Sequence, residues 1–94
     1  MGSGRRQIVW SKAAAAALDE AVAYVSQESA SAALQLLEKA FTSAASLAEY
    51  AERGRIVPEI GSPTIREIFV FKYRLMYAVA ESEVQVVAFL HGAR

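Results

Sequence analysis

The sequence predicts an α+β fold: an N-terminal strand, then an antiparallel two-helix hairpin packed on one face of a small, mostly antiparallel sheet ending in a three-strand meander. Three observations predict it. Residues 65–71, 73–79 and 84–90 are dense in β-branched and aromatic side chains and lie close together along the chain, the composition and spacing of consecutive antiparallel strands. Residues 12–48 are rich in alanine and leucine and keep a helical repeat. Between these two regions, residues 49–64 carry Gly54, Pro58, Gly61 and Pro63, which break regular structure.

The elements follow in order. Gln7-Ile8-Val9-Trp10 is short and apolar, a first strand. Ser11 stands where an N-cap belongs, before the strong helix formers Lys12 to Leu18. Ala14, Leu18, Ala21 and Val25 line one face of that helix, which should end between Ser26 and Ser29. Ser29 or Ser31 caps a second helix, with Leu34, Leu37, Phe41, Ala44 and Ala48 as its expected buried face. So short a connection makes the helices antiparallel. The irregular segment that follows holds a short extended piece at Arg55-Ile56-Val57 and carries Arg53, Arg55 and Glu59 toward the sheet. In the meander, alternation puts Tyr73, Leu75, Tyr77 and Val79 on one face and Arg74, Met76 and Ala78 on the other. The same rule groups Val84, Val86, Ala88 and Leu90 opposite Gln85, Val87, Phe89 and His91. One face of the sheet covers the helices, and the other is left open to a partner.

Composition narrows the function classes. Met1-Gly2-Ser3-Gly4 reads as a cloning scar, and residues 5–94 as a single domain. A hydrophobic content of 54% excludes a disordered chain. No apolar run approaches the ~20 residues of a membrane span, so no membrane association is expected. The amino terminus lacks the apolar segment of a signal peptide. With no cysteine and a single histidine, no transition-metal shell can be assembled without several carboxylates. The glycines lack the strand-to-helix context of a phosphate-binding loop. No cofactor is expected, and a cytoplasmic location suits the absence of cysteine. Ten basic residues balance ten acidic ones, which removes any global pull toward nucleic acid or anionic lipid.

The words Gly-Arg-Ile-Val-Pro-Glu-Ile-Gly at 54–61, Ile-Arg-Glu-Ile-Phe-Val-Phe-Lys-Tyr-Arg-Leu-Met-Tyr-Ala-Val at 65–79 and Val-Gln-Val-Val-Ala-Phe-Leu-His-Gly-Ala-Arg at 84–94 carry a further reading. In this order and spacing, with Tyr73 to Tyr77 the strongest part, the chain resembles the RelE/ParE superfamily of toxins from bacterial type II toxin–antitoxin systems. The resemblance implies a small cytoplasmic toxin held inactive by a cognate antitoxin that wraps it. A toxin–antitoxin hetero-oligomer is among the assemblies it allows. No residue is assigned to antitoxin binding.

Two branches of the superfamily imply different targets. RelE-like members cut messenger RNA on the ribosome; ParE-like members poison DNA gyrase and cleave nothing. On the nuclease branch, Arg74 would stabilise charge at the scissile phosphate, Glu59 would act as base, and His91 would protonate the leaving oxygen. The plainer readings are an Arg74 paired with Glu67, a solvated Glu59 and a structural or docking His91. Arg55, Arg66 and Arg94 are candidates for phosphate backbone, target or acidic antitoxin side chains, whereas Arg53 and Lys72 read as solvated. Basic RelE-like members carry lysines and arginines on the strand aligned with residues 65–71, where this chain has Glu67. That departure and the zero net charge favour ParE-like inhibition of gyrase. Ribosome-dependent cleavage is the alternative, and a toxin-like interaction module without toxicity is a third reading.

Overall fold

The computed structural model describes residues 5–92. Seven elements follow in order: β1 (Gln7–Trp10), α1 (Lys12–Ser26), α2 (Ala30–Ser46), β2 (Arg55–Ile56), β3 (Ile65–Val70), β4 (Tyr73–Val79) and β5 (Glu83–His91). The strands form one sheet in the order β1-β5-β4-β3-β2. β1 runs parallel to β5, and the remaining pairs are antiparallel. The predicted architecture is present throughout.

Serines set the helix starts. Ser11 donates its backbone N–H to the Val86 carbonyl at 2.9 Å, which extends the β1–β5 ladder. Its hydroxyl accepts from the Ala14 N–H at 3.0 Å, so one residue ends the strand and caps α1. Ser29 does the same for α2, accepting from Ala32 N–H at 3.0 Å. Both helices lie on one sheet face. Ala14, Leu18 and Ala21 of α1 meet Leu36, Ala40 and Ala44 of α2, and both rows cover Ile68, Val70, Leu75, Tyr77, Val84, Val86 and Phe89.

The buried face of α2 is rotated from the one predicted. Ala33, Leu36, Ala40, Ala44 and Leu47 are buried, while Leu34 is 56% and Phe41 51% exposed. Both rows have helical spacing, so periodicity alone cannot choose between them. Close approach of the hairpin favours the row with the smaller side chains at the crossing. Phe41 instead meets Trp10 edge-on, with ring centroids 5.6 Å apart.

β5 also departs from the expected alternation. Met76 pairs with Ala88 but Tyr77 pairs with Val86, leaving Val87 as the extra residue of a β-bulge. The bulge reverses the side-chain phase beyond it. Val84, Val86, Phe89 and His91 therefore share the helix-facing side, and Ala88 and Leu90 join Gln85 on the other side, not Val84 and Val86.

The β3–β4 hairpin closes through Phe71 and Lys72, because Val70 pairs with Tyr73. Phe71 has φ +54°, the only positive φ outside glycine among the described residues. Its ring is 58% exposed. A side chain in this region costs about 1–2 kcal/mol, and an exposed ring recovers little of that by burial. Phe71→Gly should therefore raise stability by about 0.5–1 kcal/mol after glycine's own entropic cost. An unchanged or lower midpoint in chemical denaturation would count against this account of the turn.

Candidate functional site

The face of the sheet away from the helices is where the charged residues gather. Pairing places Arg55 of β2 opposite Glu67 of β3, and Phe69 of β3, Arg74 of β4 and Leu90 of β5 in one cross-strand row. Glu67 is the centre. Its carboxylate is almost wholly buried and accepts from Arg55 Nε and from Arg74 Nε, each at 2.6 Å. The remaining edge of Arg74 donates from Nη1 and Nη2 to the two oxygens of Glu59, at 3.1 and 3.0 Å, a bidentate fork. Arg55 also lies over the Phe69 ring, 5.6 Å from its centroid. Four charged side chains thus form one chain, Arg55–Glu67–Arg74–Glu59.

Local backbone chemistry delivers Glu59 to this position. The Val57 carbonyl accepts from Ile60 N–H at 3.0 Å and Gly61 N–H at 2.8 Å, closing a single turn over Pro58-Glu59-Ile60. Proline presets the first residue of the turn. Gly61 leaves it at φ +74°, in the left-handed region. Val57 is fully buried beneath the turn, so the loop lies on the sheet and does not extend from it. Tyr77 anchors the preceding segment from the other face: its hydroxyl donates to Ala51 O at 2.7 Å and accepts from Gly54 N–H at 3.0 Å.

The electrostatics follow from these contacts. The Arg74 hydrogen bonds, then the amide of Glu59 itself, hold the Glu59 carboxyl below its ordinary pKa. The hydrogen bonds that Arg74 donates to Glu59 and then to Glu67 push its pKa up against the desolvation that opposes it. Burial raises Tyr77, with the Gly54 N–H bond acting the other way. Because the folded pKa of Glu59 is depressed, its contact with Arg74 contributes fully above the ordinary carboxylate range and is lost as pH falls through the lowered value. A carbon-detected NMR titration of Glu59 should find its midpoint below that of a free glutamate, and a midpoint at or above it would mean the fork is absent in solution.

The sequence-predicted site residues are thus divided. Arg74 and Glu59 are in direct contact. His91 is on the opposite, helix-facing side of the sheet, edge-on to Tyr73 with ring centroids 5.3 Å apart. There it lines an apolar groove of about 330 Å³ with Tyr24, Val25, Leu36, Phe71 and Tyr73. Arg55 belongs to the ion-pair chain. Arg66 is turned to the loop, donating to the carbonyls of Pro63 and Gly54 at 3.0 Å each. Arg53, expected to be solvated only, donates to the Ser46 hydroxyl at 2.9 Å. Arg94 lies outside the described residues. Sequence reasoning did not place Glu67 among the site residues. The signal was available, since Glu67 shares a strand face with Arg74 in the neighbouring strand of a tight hairpin.

The profile of the family described as ParE toxin of type II toxin-antitoxin system, parDE, matches residues 8–94. A curated relative, Toxin RelE2 of Caulobacter vibrioides, is 39% identical over 89 residues, covering 94% of this chain and 97% of the relative. Among solved structures, the chromosomal ParDE toxin–antitoxin system from P. aeruginosa superposes with a TM-score of 0.77 at 21% identity, covering 97% of this chain and 100% of that one. At that identity the structural likeness speaks for the fold alone.

Proposed function

The chain belongs to the ParE toxin family of type II toxin–antitoxin systems, within the RelE/ParE superfamily, and on that premise we propose that it arrests growth by binding and inhibiting DNA gyrase. An antitoxin partner goes with membership of such a system. We place the toxin in the cytoplasm, where gyrase acts; no helix among the described residues is long and apolar enough to cross a membrane. The observation that carries the proposal is the division of the would-be nuclease residues. Acid–base cleavage of a phosphodiester needs its acid and its charge-stabilising arginine on the same reacting group. Here His91 and Arg74 are on opposite faces of the sheet, and in the free chain Arg74 is held by two carboxylates, a buried Glu67 on one edge and an exposed Glu59 on the other. The ion-pair chain Arg55–Glu67–Arg74–Glu59 is also neutral, a poor seat for a polyanion.

The alternative, ribosome-dependent cleavage of messenger RNA, is favoured by the direct contact of Glu59 with Arg74, the pairing a base and a phosphate clamp would require. The name of the Caulobacter relative points the same way. Variants separate the two. On the gyrase reading, Glu59→Ala and His91→Ala both arrest cells expressing no antitoxin as fast as the unaltered toxin does. Loss of a general acid or base would instead lower cleavage about 10²–10⁴-fold, and growth would resume. Resumed growth of either variant at unchanged protein level would overturn the gyrase proposal.

A further inference from the structure

We infer that the outer sheet face is a carboxylate-reading docking site for the antitoxin, and that Glu59 occupies it in the free toxin as an internal stand-in. The inference rests on the toxin–antitoxin reading above and is independent of the target the toxin strikes.

The two carboxylates on Arg74 are not equivalent. Glu67 is fixed: it is buried, belongs to a central strand and is held by a second arginine. Glu59 has a side chain 62% exposed to solvent and sits on a single turn. Its fork with Arg74 is therefore the exchangeable one. Exposed apolar side chains flank it. Phe69 and Leu90, 56% and 46% exposed, stand on either side of Arg74 in the cross-strand row, and Ile60, 56% exposed, follows Glu59 directly. Charge arithmetic restricts the guest. Arg55, Arg74, Glu59 and Glu67 sum to +2 − 2 = 0, so withdrawing Glu59 leaves +1. That suits one carboxylate and not a run of phosphates. The resident segment shows the chemistry the site takes, a glutamate beside an aliphatic residue.

An antitoxin segment of that chemistry would exchange one bidentate, charge-assisted pair for another and cover Phe69 and Leu90 as well. The resident carboxylate keeps the ion-pair chain neutral and turns away stray anions, a selectivity obtained by competition. Competition also lowers apparent affinity in proportion to the fraction of time the site is free.

The test follows Arg74 side-chain N–H signals by NMR in the unaltered toxin and in Glu59→Ala. The probes are a capped Val-Pro-Glu-Ile-Gly peptide copied from residues 57–61, its glutamine counterpart, and the dinucleotide UpA. If Glu59 is engaged about nine-tenths of the time, the glutamate peptide binds Glu59→Ala about tenfold more tightly than the unaltered toxin. The glutamine peptide should leave Arg74 unshifted. UpA, whose single phosphodiester carries the same charge as one carboxylate but brings no aliphatic neighbour to cover Phe69 and Leu90, should bind more weakly than the glutamate peptide. Equal binding of the two peptides, equal binding to the two proteins, or stronger binding of UpA would overturn the inference. A second measurement uses the cognate antitoxin with Arg74→Gln, checked by thermal melting for an intact fold. Binding about tenfold or more weaker is expected for loss of a central arginine. Antitoxin binding at unaltered strength would sink the docking site and leave the toxin reading standing. Failure of the antitoxin to bind the unaltered toxin would sink the toxin–antitoxin reading itself. The peptide comparison on Glu59→Ala is free of any concern about folding of Arg74→Gln.

Discussion

Gly54→Ala is expected to cost the fold about 3 kcal/mol, at the upper end of what overpacking usually costs. A Cβ on residue 54 would sit 2.5 Å from the Tyr77 hydroxyl and 2.6 Å from the Glu67 backbone oxygen. Neither can yield cheaply. The Tyr77 ring is fully buried, and its hydroxyl is held at both ends by Ala51 O and Gly54 N–H. The Glu67 oxygen belongs to the backbone of a central strand. The chain at 54 must therefore back away, which breaks the bond from Gly54 N–H and strips Tyr77 of its acceptor role in a buried setting, where an unmet polar group costs about 1–3 kcal/mol. For a domain of this size the melting point should fall by roughly 15 °C. Displacement would propagate to Glu59, because the same segment carries the turn onto the sheet. A fall of under 2 °C would mean that the close approach is not tight in solution.

Glu67→Ala is expected to cost about 2–3 kcal/mol, less than a fully buried pair would lose. The discount has a structural reason. Arg74, its side chain 16% exposed, keeps Glu59 on its other edge, while Arg55 is 59% exposed and can turn to water. What remains is the cost of a mostly buried Arg74 Nε–H without an acceptor, added to the space left by the glutamate. Arg55→Ala should cost no more than about 1 kcal/mol, in the range of solvent-exposed pairs. The ordering of the two variants is the stringent part. If urea denaturation finds Arg55→Ala as damaging as Glu67→Ala, Glu67 is not the centre of the ion-pair chain.

The sequence carries much of this arrangement. Serines before alanine-rich stretches announce Ser11 as one cap and Ser29 or Ser31 as the other, of which the structure uses Ser29, and β-branched runs locate the meander strands. Alternation correctly groups Tyr73, Leu75, Tyr77 and Val79 on one face, the one that the structure sets against the helices. It fails where the pattern holds no phase information. Val86-Val87-Ala88-Phe89 is apolar throughout, so nothing in the residue types marks Val87 as a bulge or places His91 on the helix side. The α2 register fails for a related reason: rows 33-36-40-44 and 34-37-41-44 are both apolar, and only the closeness of the partner helix selects the first. The site was partly legible. Arg74 and Glu59 stand out through the family resemblance, which gives them roles on the nuclease branch, whereas the residue pattern alone reads Glu59 as solvated. Their mutual contact depends on how the turn at 58–60 lies on the sheet, a long-range outcome of Val57 burial and Gly61 geometry. Glu67 reads as a departure from a basic strand, and its role as the hub shared by two arginines emerges only once β2, β3 and β4 are in register.

The central claim is that this toxin acts by binding a protein and not by cutting RNA. The most direct measurement induces it without antitoxin, then maps transcript 5′ ends and captures gyrase–DNA complexes from the same arrested cells. Trapped gyrase complexes with intact messages are the predicted result. Messages cut at defined positions, with gyrase turning over freely, would contradict the account and make the contact of Glu59 with Arg74 part of a nuclease centre.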